Sequence, residues 1–97
     1  MPLAALVRFT FRADADAPAI LTSVLETTRA FGGLTRVDLL ADPADPTRWT
    51  LYEIWQDAEA EAAYRAFRAT PEGRDAQLTD ALTAPPALEQ FTVHPLS

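Results

Sequence analysis

Residues 48–56 carry the feature that most constrains the fold, an alternation of side chains with a period of two. One face of this segment carries Trp49, Leu51, Glu53 and Trp55, and the other carries Arg48, Thr50, Tyr52 and Ile54. Successive side chains of a β-strand point to opposite faces, and aromatic and β-branched residues favour strands. The pattern therefore predicts a strand, with its odd-numbered residues on the more apolar face.

Three further segments have strand character. Residues 3–12 place Leu3, Ala5, Val7, Phe9 and Phe11 on one face. Residues 34–41 have Val37 and Leu39 on their more apolar face, and residues 87–94 form a short last strand that Pro95 ends. The loop at 42–47 contains two prolines, which exclude regular pairing, and its shortness predicts an antiparallel hairpin between the second and third strands.

Helical spacing appears twice between these strands. Asp16 is a candidate N-cap, and Pro18 is tolerated in a first turn. The apolar stripe of this first helix is Ile20, Leu21, Val24, Leu25, Thr28 and Phe31, before Gly32-Gly33 ends it.

The second helix is predicted to begin after Asp57 and to bury Ala60, Ala63, Tyr64 and Phe67. Glu61 and Arg65 are expected to pair on its outer side. Thr70-Pro71 indicates a further helical start, so another segment is predicted to run to about residue 82, where Pro85-Pro86 breaks it.

The order strand, helix, strand, strand, helix, strand is the ferredoxin-like split βαβ arrangement, an α+β fold. We expect a four-stranded antiparallel sheet with its helices on one face. The other face is predicted to carry Leu6, Arg8, Thr10, Arg36, Leu40, Tyr52, Ile54, Thr92 and His94. Its large side chains, Leu6, Leu40, Tyr52 and Ile54, form an apolar patch. A patch of this kind favours a homodimer through the sheet face over a monomer with a solvated face.

The composition bounds the function. A chain of 97 residues predicts one domain over residues 1–97, and its small core favours a partner subunit. The absence of cysteine excludes thiolate chemistry, and a single histidine, His94, makes a histidine metal site implausible. The net charge of −6 disfavours nucleic acid and anionic membranes. Neither a signal peptide nor a membrane span is visible, and the absence of cysteine fits a cytoplasmic protein.

One stretch resembles the antibiotic biosynthesis monooxygenase family of dimeric α+β barrels, namely Leu51-Tyr52-Glu53-Ile54-Trp55-Gln56-Asp57 followed by Ala58-Glu59-Ala60. It is similar to that family's signature of an aromatic residue, Glu, any residue, Trp and an acidic helix start. Thr70-Pro71, Gly33-Leu34 and Asp45-Pro46 also lie where the family has similar turns. The sharp part of this resemblance covers about ten residues.

The resemblance implies a dimer and, for an enzyme, oxidation of a phenolic or quinol-like aromatic substrate by molecular oxygen without cofactor or metal. The substrate supplies the electrons, and the protein binds the ring, excludes water and helps a proton leave. The chain departs from the family at two places. Tyr64 stands where many members have a histidine, and Gln77 is near the position where haem-degrading relatives hold iron.

The candidate catalytic residues are Glu53, as proton acceptor, and Tyr64, as a hydroxyl that holds a substrate oxygen. Trp55, Phe67 and Phe9 are candidate substrate-binding residues. Each has a structural alternative: a core packing role for the aromatic side chains, and an ion pair with an arginine or a hydrogen bond to a tyrosine for Glu53. A base role for His94 is weaker than that of a surface or interface histidine.

Three functions remain open from the sequence. The chain predicts a cofactor-independent monooxygenase, a dimeric module that binds a small hydrophobic molecule, or a structural dimer with a filled core. The volume enclosed by Trp55, Glu53 and Tyr64 separates them, because an open cavity supports a ligand site.

Overall fold

A computed structural model describes residues 1–96 and has the predicted order of elements. The elements are β1 (Leu3–Thr10), α1 (Ala17–Phe31), β2 (Leu34–Ala41), β3 (Arg48–Trp55), α2 (Ala58–Arg68), α3 (Ala76–Ala81) and β4 (Ala87–Thr92). The four strands form one antiparallel sheet in the order β2-β3-β1-β4. The ferredoxin-like α+β fold is thus confirmed, and so is the hairpin between β2 and β3.

The inward faces of β1 and β3 are as predicted. Odd-numbered residues of the two strands lie opposite one another, as in the pairs Val7–Leu51 and Ala5–Glu53. Residues directly opposite in an antiparallel pair share a face. This face is buried under the helices, with Leu51, Glu53 and Trp55 each at most 2% exposed.

The face of β4 was predicted wrongly. Leu3 pairs with Thr92 and Leu6 pairs with Glu89, so the even-numbered residues of β4 lie on the helix side. Thr92 is therefore not on the open face, where Glu89 and Phe91 lie instead. His94 follows the end of the strand and is exposed, so it is also not part of that face.

Helix α1 begins after Asp16, whose side chain accepts a hydrogen bond from the Ala19 amide. Its predicted stripe is buried except for Phe31, which remains 40% exposed. The helix ends at Gly32 and Gly33, both with positive φ. A Cβ on Gly33 would lie 2.8 Å from the Cβ of Ala60, so the chain passes too close to α2 for any other residue.

Helix α2 is rotated relative to the prediction. Ala63 is exposed, whereas Glu61 is buried together with Tyr64. The predicted pair of Glu61 and Arg65 does form, but on the inner side of the helix rather than on the outer side. The cost of burying the Glu61 carboxylate is offset because it receives hydrogen bonds from Arg65 and from Gln90.

The helical segment after α2 starts later than predicted. Residues 71–73 form a turn in which the Thr70 hydroxyl accepts a hydrogen bond from the Gly73 amide. Asp75 is the N-cap of α3, because its side chain accepts from the Leu78 amide. Thr70-Pro71 therefore marks a turn that precedes the helix, not the helix itself.

The buried side chains form two groups between the sheet and the helices. The apolar cluster consists of Val7, Phe9, Phe11, Ala17, Ile20, Leu21, Leu25, Leu51 and Ala81. The Trp55 cluster consists of Ala5, Trp55 and Tyr64, with Leu3, Leu34, Ala60 and Phe67 packed against it. No helix among residues 1–96 has the length and apolar character needed to cross a membrane.

Candidate active site

Glu53 is the acid at the centre of the candidate site. Its position on the inward face of β3 leaves it 2% exposed. Its Oε1 accepts two hydrogen bonds, from Trp55 Nε1 at 3.0 Å and from Arg65 NH2 at 2.8 Å. Both known hydrogen bonds to this carboxylate therefore end on the same oxygen.

Arg65 joins Glu53 to a second buried acid. Its Nε donates to Glu61 Oε2 at 2.7 Å, one turn earlier on α2. Glu61 Oε1 accepts from Gln90 Nε2 of β4 at 2.8 Å. Burial alone lowers the pKa of Arg65, but the charges and hydrogen bonds of the two carboxylates outweigh it and hold that pKa above its ordinary value. The guanidinium therefore stays charged between two acids.

The hydroxyl of Tyr64 belongs to a chain of hydrogen bonds. Arg68 Nε donates to the Tyr64 hydroxyl at 2.6 Å, and that hydroxyl lies 2.7 Å from Thr28 Oγ1. Thr28 in turn donates to the carbonyl of Val24 at 2.9 Å. Either hydroxyl can be the donor between Tyr64 and Thr28, and when Thr28 gives its only proton to Val24 the Tyr64 proton is directed to Thr28. In that arrangement the tyrosine hydroxyl has no proton left for a substrate.

Aromatic rings and arginines stack beside these acids. The rings of Trp55 and Tyr64 lie 5.0 Å apart between centroids at 32°. The Cζ atoms of Arg65 and Arg68 each lie 5.2 Å from the Tyr64 ring centroid, a distance at which a cation is attracted to the ring. Phe31 packs against the Tyr64 ring from the α1 side.

A cavity of about 310 Å³ lies between the sheet and the helices at this place. Its lining is mostly apolar and consists of Val7, Phe9, Val24, Leu51, Glu53, Tyr64, Arg65, Arg68, Arg74, Asp75, Leu78, Thr79, Pro86 and Leu88. The exposed residues of this set, among them Arg74 and Leu88, form its open side. Its volume is at the lower end of the roughly 300–1,000 Å³ range of small-molecule pockets.

The second oxygen of Glu53 accepts no hydrogen bond from the described residues. Every buried side-chain nitrogen or oxygen among residues 1–96 has a hydrogen-bond partner. Oε2 of Glu53 takes no hydrogen bond, so it must reach accessible space, and Glu53 lines the cavity. The carboxylate is thus fixed by one oxygen and has its acceptor capacity left at the other, on a residue that lines the cavity.

The structure brings three of the five predicted site residues to the cavity, namely Glu53, Tyr64 and Phe9. Trp55 is fully buried behind Glu53 and does not line it. Phe67 lies outside the lining and packs on Phe31 at 5.2 Å between ring centroids. Within residues 1–96 no three His, Asp or Glu side chains are grouped as metal ligands.

The sequence interpretation did not find the arginines of the site. Arg65 was expected on the outer side of α2, and neither Arg68 nor Arg74 was given a role at the site. A signal was present, because Arg68 lies four residues after Tyr64 and Arg65 lies four residues after Glu61, the spacing that places two side chains on the same face of a helix. Thr28 was expected in the core, but not as the acceptor of the tyrosine proton.

Comparison with known proteins is consistent with this geometry. A family model described as antibiotic biosynthesis monooxygenase matches residues 2–78. The chain belongs to this family. The match includes Glu53, Trp55 and all of α2 and ends in α3. No curated protein matches the chain in sequence.

Solved structures show the same fold. Rv0793 from Mycobacterium tuberculosis is 28% identical, with a TM-score of 0.75 over 100% of this chain and 97% of that one. A protein of Nitrosomonas europaea, provisionally named an antibiotic biosynthesis monooxygenase, is 22% identical, with a TM-score of 0.77 over 99% and 94%. A conserved protein of Methanosarcina mazei is 12% identical, with a TM-score of 0.76 over 94% and 91%. The last two likenesses bear on the fold alone.

Proposed function

We propose that this protein is a cofactor-independent monooxygenase that oxidises a phenolic, quinol-type or anthrone-type aromatic compound with molecular oxygen. For a substrate with a reactive methylene, the carbon loses two hydrogens and gains one oxygen atom of O₂. The other oxygen atom leaves as water, so that R₂CH₂ and O₂ give R₂CO and H₂O. The electrons come from the substrate after a proton has left it.

The observation that carries this proposal is the open oxygen of Glu53 at an apolar cavity in a chain of this family. A base that takes a proton must reach it within hydrogen-bond distance. Oε1 fixes the carboxylate through Trp55 and Arg65, and Oε2 then acts on the bound ring. The apolar walls exclude water and hold the ring in place.

The other predicted residues have different roles in this scheme. Phe9 is a wall of the cavity and contacts the ring directly. Trp55 supports Glu53 through its indole N–H rather than by stacking on the substrate. Tyr64 offers its ring to the cavity, since its hydroxyl proton is committed to Thr28. Phe67 supports Tyr64 indirectly through Phe31.

The functional unit of this proposal is a cytoplasmic homodimer of single-domain chains, residues 1–97, that meet through the open sheet face. Leu6, Tyr52 and Ile54 of that face are only half-buried, and Leu40 and Phe91 are 46% and 47% exposed. Covering these side chains with a second sheet would remove a large apolar patch from water.

Oxygen consumption with a panel of anthrones, naphthols and quinols tests the enzymatic proposal. Glu53→Gln keeps the shape of the side chain and one oxygen that can accept from Trp55 and Arg65, but it removes the base, so turnover is expected to fall by about 10²–10⁴-fold. Glu59→Gln, on the exposed part of α2, is the matched control and should retain full turnover. Thermal unfolding of both variants checks that the fold is intact. Equal turnover of Glu53→Gln and wild type would move the proton acceptor elsewhere.

A second candidate function is a binding module without catalysis. It is favoured by the ion pair of Glu53 with Arg65 and by the committed hydroxyl of Tyr64, both of which are structural arrangements. A panel compound that binds, measured by calorimetry, but is never turned over with oxygen would support this function over the first.

Light scattering tests the dimer. Ile54→Asp would bury an unpaired charge in the contact between sheets and is expected to yield monomers at micromolar concentration. Ala62→Asp, on an exposed position of α2, should leave the mass of a dimer unchanged. A monomeric mass for the wild type would exclude the homodimer.

A further inference from the structure

The charges around the cavity are unevenly paired. Arg65 lies between Glu53, which lines the cavity, and Glu61, which lies outside the lining, so this cation is paired with two acids. Arg68 is different, because it forms no ion pair among residues 1–96. Its hydrogen bonds go to the Tyr64 hydroxyl, the carbonyls of Gly73 and Val24, and the Thr28 hydroxyl, all neutral oxygens.

Arg74 is a second cation of the lining, and it directly follows Gly73, whose carbonyl accepts a hydrogen bond from Arg68. It lines the cavity, is exposed, and its side chain forms no hydrogen bond or ion pair within the described residues. The one acid beside it in the lining is Asp75, and Oδ1 of that carboxylate caps α3 through the Leu78 amide. Two cations therefore face one acid here, although the whole chain carries a net charge of −6.

We infer that the cavity takes an aromatic anion, a ring compound whose carboxylate or phenolate oxygen pairs with Arg74 beside the fixed charge of Arg68. Four hydrogen bonds hold Arg68 in place, so it supplies positive potential, while Arg74 has its donors available. This inference rests on the proposed function, because it makes the same cavity the substrate site and names the charge of the substrate.

The physical reason is the cost of an unpaired cation beside apolar walls. Arg68 is half-buried and has only neutral acceptors, so its guanidinium has lost water without gaining a carboxylate, and an anion held nearby by the exposed Arg74 repays part of that cost. Hydrogen bonds between charged groups are about twice as strong as neutral ones, and an apolar surrounding strengthens them further. Repulsion by Glu53 keeps the anionic group away from that carboxylate, which leaves the uncharged part of the ring nearer to Oε2.

Calorimetry with two ligands of one shape tests the inference. 2-Naphthoate carries the anion, and 2-naphthamide is its neutral counterpart. Wild type is expected to bind the acid about tenfold more tightly than the amide, as a charge-assisted hydrogen bond predicts. Arg74→Gln should reduce that preference to about threefold or less and leave the affinity for the amide unchanged. Arg29→Gln, an exposed position on α1 outside the cavity, is the control and should keep the full preference.

A third ligand separates the two sources of the anion. 2-Naphthol, titrated from neutral to alkaline pH, binds more tightly as it ionises if a phenolate is accepted, and stays weak if only a carboxylate is. Equal binding of acid and amide, an unchanged preference in Arg74→Gln, or no binding of any naphthalene at millimolar concentration would each overturn the inference. Oxygen uptake is a separate readout: a preference for the acid without any turnover on the panel leaves the inference standing and removes the proposed oxygenation.

Discussion

The two buried clusters share one sheet and one layer of helices but are held together by different forces. The apolar cluster, between β1, α1 and α3, contains only hydrocarbon and aromatic side chains. The Trp55 cluster, between β3 and α2, is surrounded by buried polar groups that include Glu53, Glu61 and Thr28. Each of these polar groups has a partner in the described part of the chain.

This difference indicates that the apolar cluster stabilises the fold and that the Trp55 cluster with its buried polar groups, the polar half, positions the site. Hydrophobic burial is non-directional, so the apolar cluster depends on volume and area. A buried ion pair often adds no more stability than a hydrophobic replacement would. The chain nevertheless retains two acids around Arg65, and one of them presents an oxygen to the cavity. The polar half is thus better explained by what it holds in place than by what it adds to stability.

The largest effect on stability is expected from removal of the cation in the polar half. Arg65→Met leaves Glu53 and Glu61 buried without their common partner, which should lower the free energy of unfolding by about 3–5 kcal/mol. Urea unfolding measures this, with Arg29→Met on the exposed side of α1 as the control. A loss below about 1 kcal/mol is typical of ion pairs on the surface. Such a loss would show that water screens the ion pairs of Arg65, and the contrast between the two clusters would then not hold.

The apolar half should respond to volume instead. Leu21 is fully buried, so Leu21→Ala is expected to lower the free energy of unfolding by about 2–5 kcal/mol through lost burial and a cavity. Leu21→Met keeps the volume and should cost less than about 1.5 kcal/mol. The pair of variants is compared by urea unfolding. Similar losses for both would mean that shape, rather than volume, governs this cluster.

The sequence predicted those parts of the molecule whose pattern is local. The alternation in β1 and β3 and the stripe of α1 each repeat an apolar side chain several times with one period, so only one face can be buried. Glu53 could be placed on the inner face for the same reason. The close approach at Gly33 was not visible as such, but the glycine pair correctly indicated the end of α1.

The sequence did not predict features that depend on distant partners. On α2, burial of Ala63 would remove only a methyl group from water, a gain of about 0.8 kcal/mol. The hydrogen bonds that Arg65 and Gln90 donate to Glu61 therefore determine which face of the helix is buried. One of those donors, Gln90, comes from β4. The face of β4 itself depends on its register with β1, because Leu88 and Phe91 are similar in size and lie on opposite sides. No local period distinguishes them.

A variant of Tyr64 separates a structural role of its hydroxyl from a catalytic one. Tyr64→Phe leaves Arg68 Nε without its acceptor and is expected to lower the free energy of unfolding by about 1–3 kcal/mol. Because the hydroxyl proton is already bound to Thr28, turnover on an active panel compound should fall by less than about tenfold. Stability and oxygen consumption are both measured. A loss of turnover as large as that of Glu53→Gln would instead mean that the hydroxyl acts on the substrate.

The smallest effect is expected where the polar half reaches the edge of the sheet. Gln90 of β4 donates to Glu61 Oε1 at 2.8 Å, but the residue is exposed, so water can replace its amide. Gln90→Leu should therefore lower the free energy of unfolding by only about 0.5–1.5 kcal/mol. Thr92→Val, on the same side of β4 but without a hydrogen bond to the cluster, is the control.

Hydrogen exchange of the β4 amides gives a second readout of the same variant. Gln90 connects this edge strand to α2 through its hydrogen bond with Glu61, so the β4 amides should exchange faster once that bond is lost. Unchanged exchange would mean that pairing with β1 alone holds β4, and that the polar cluster ends at Glu61.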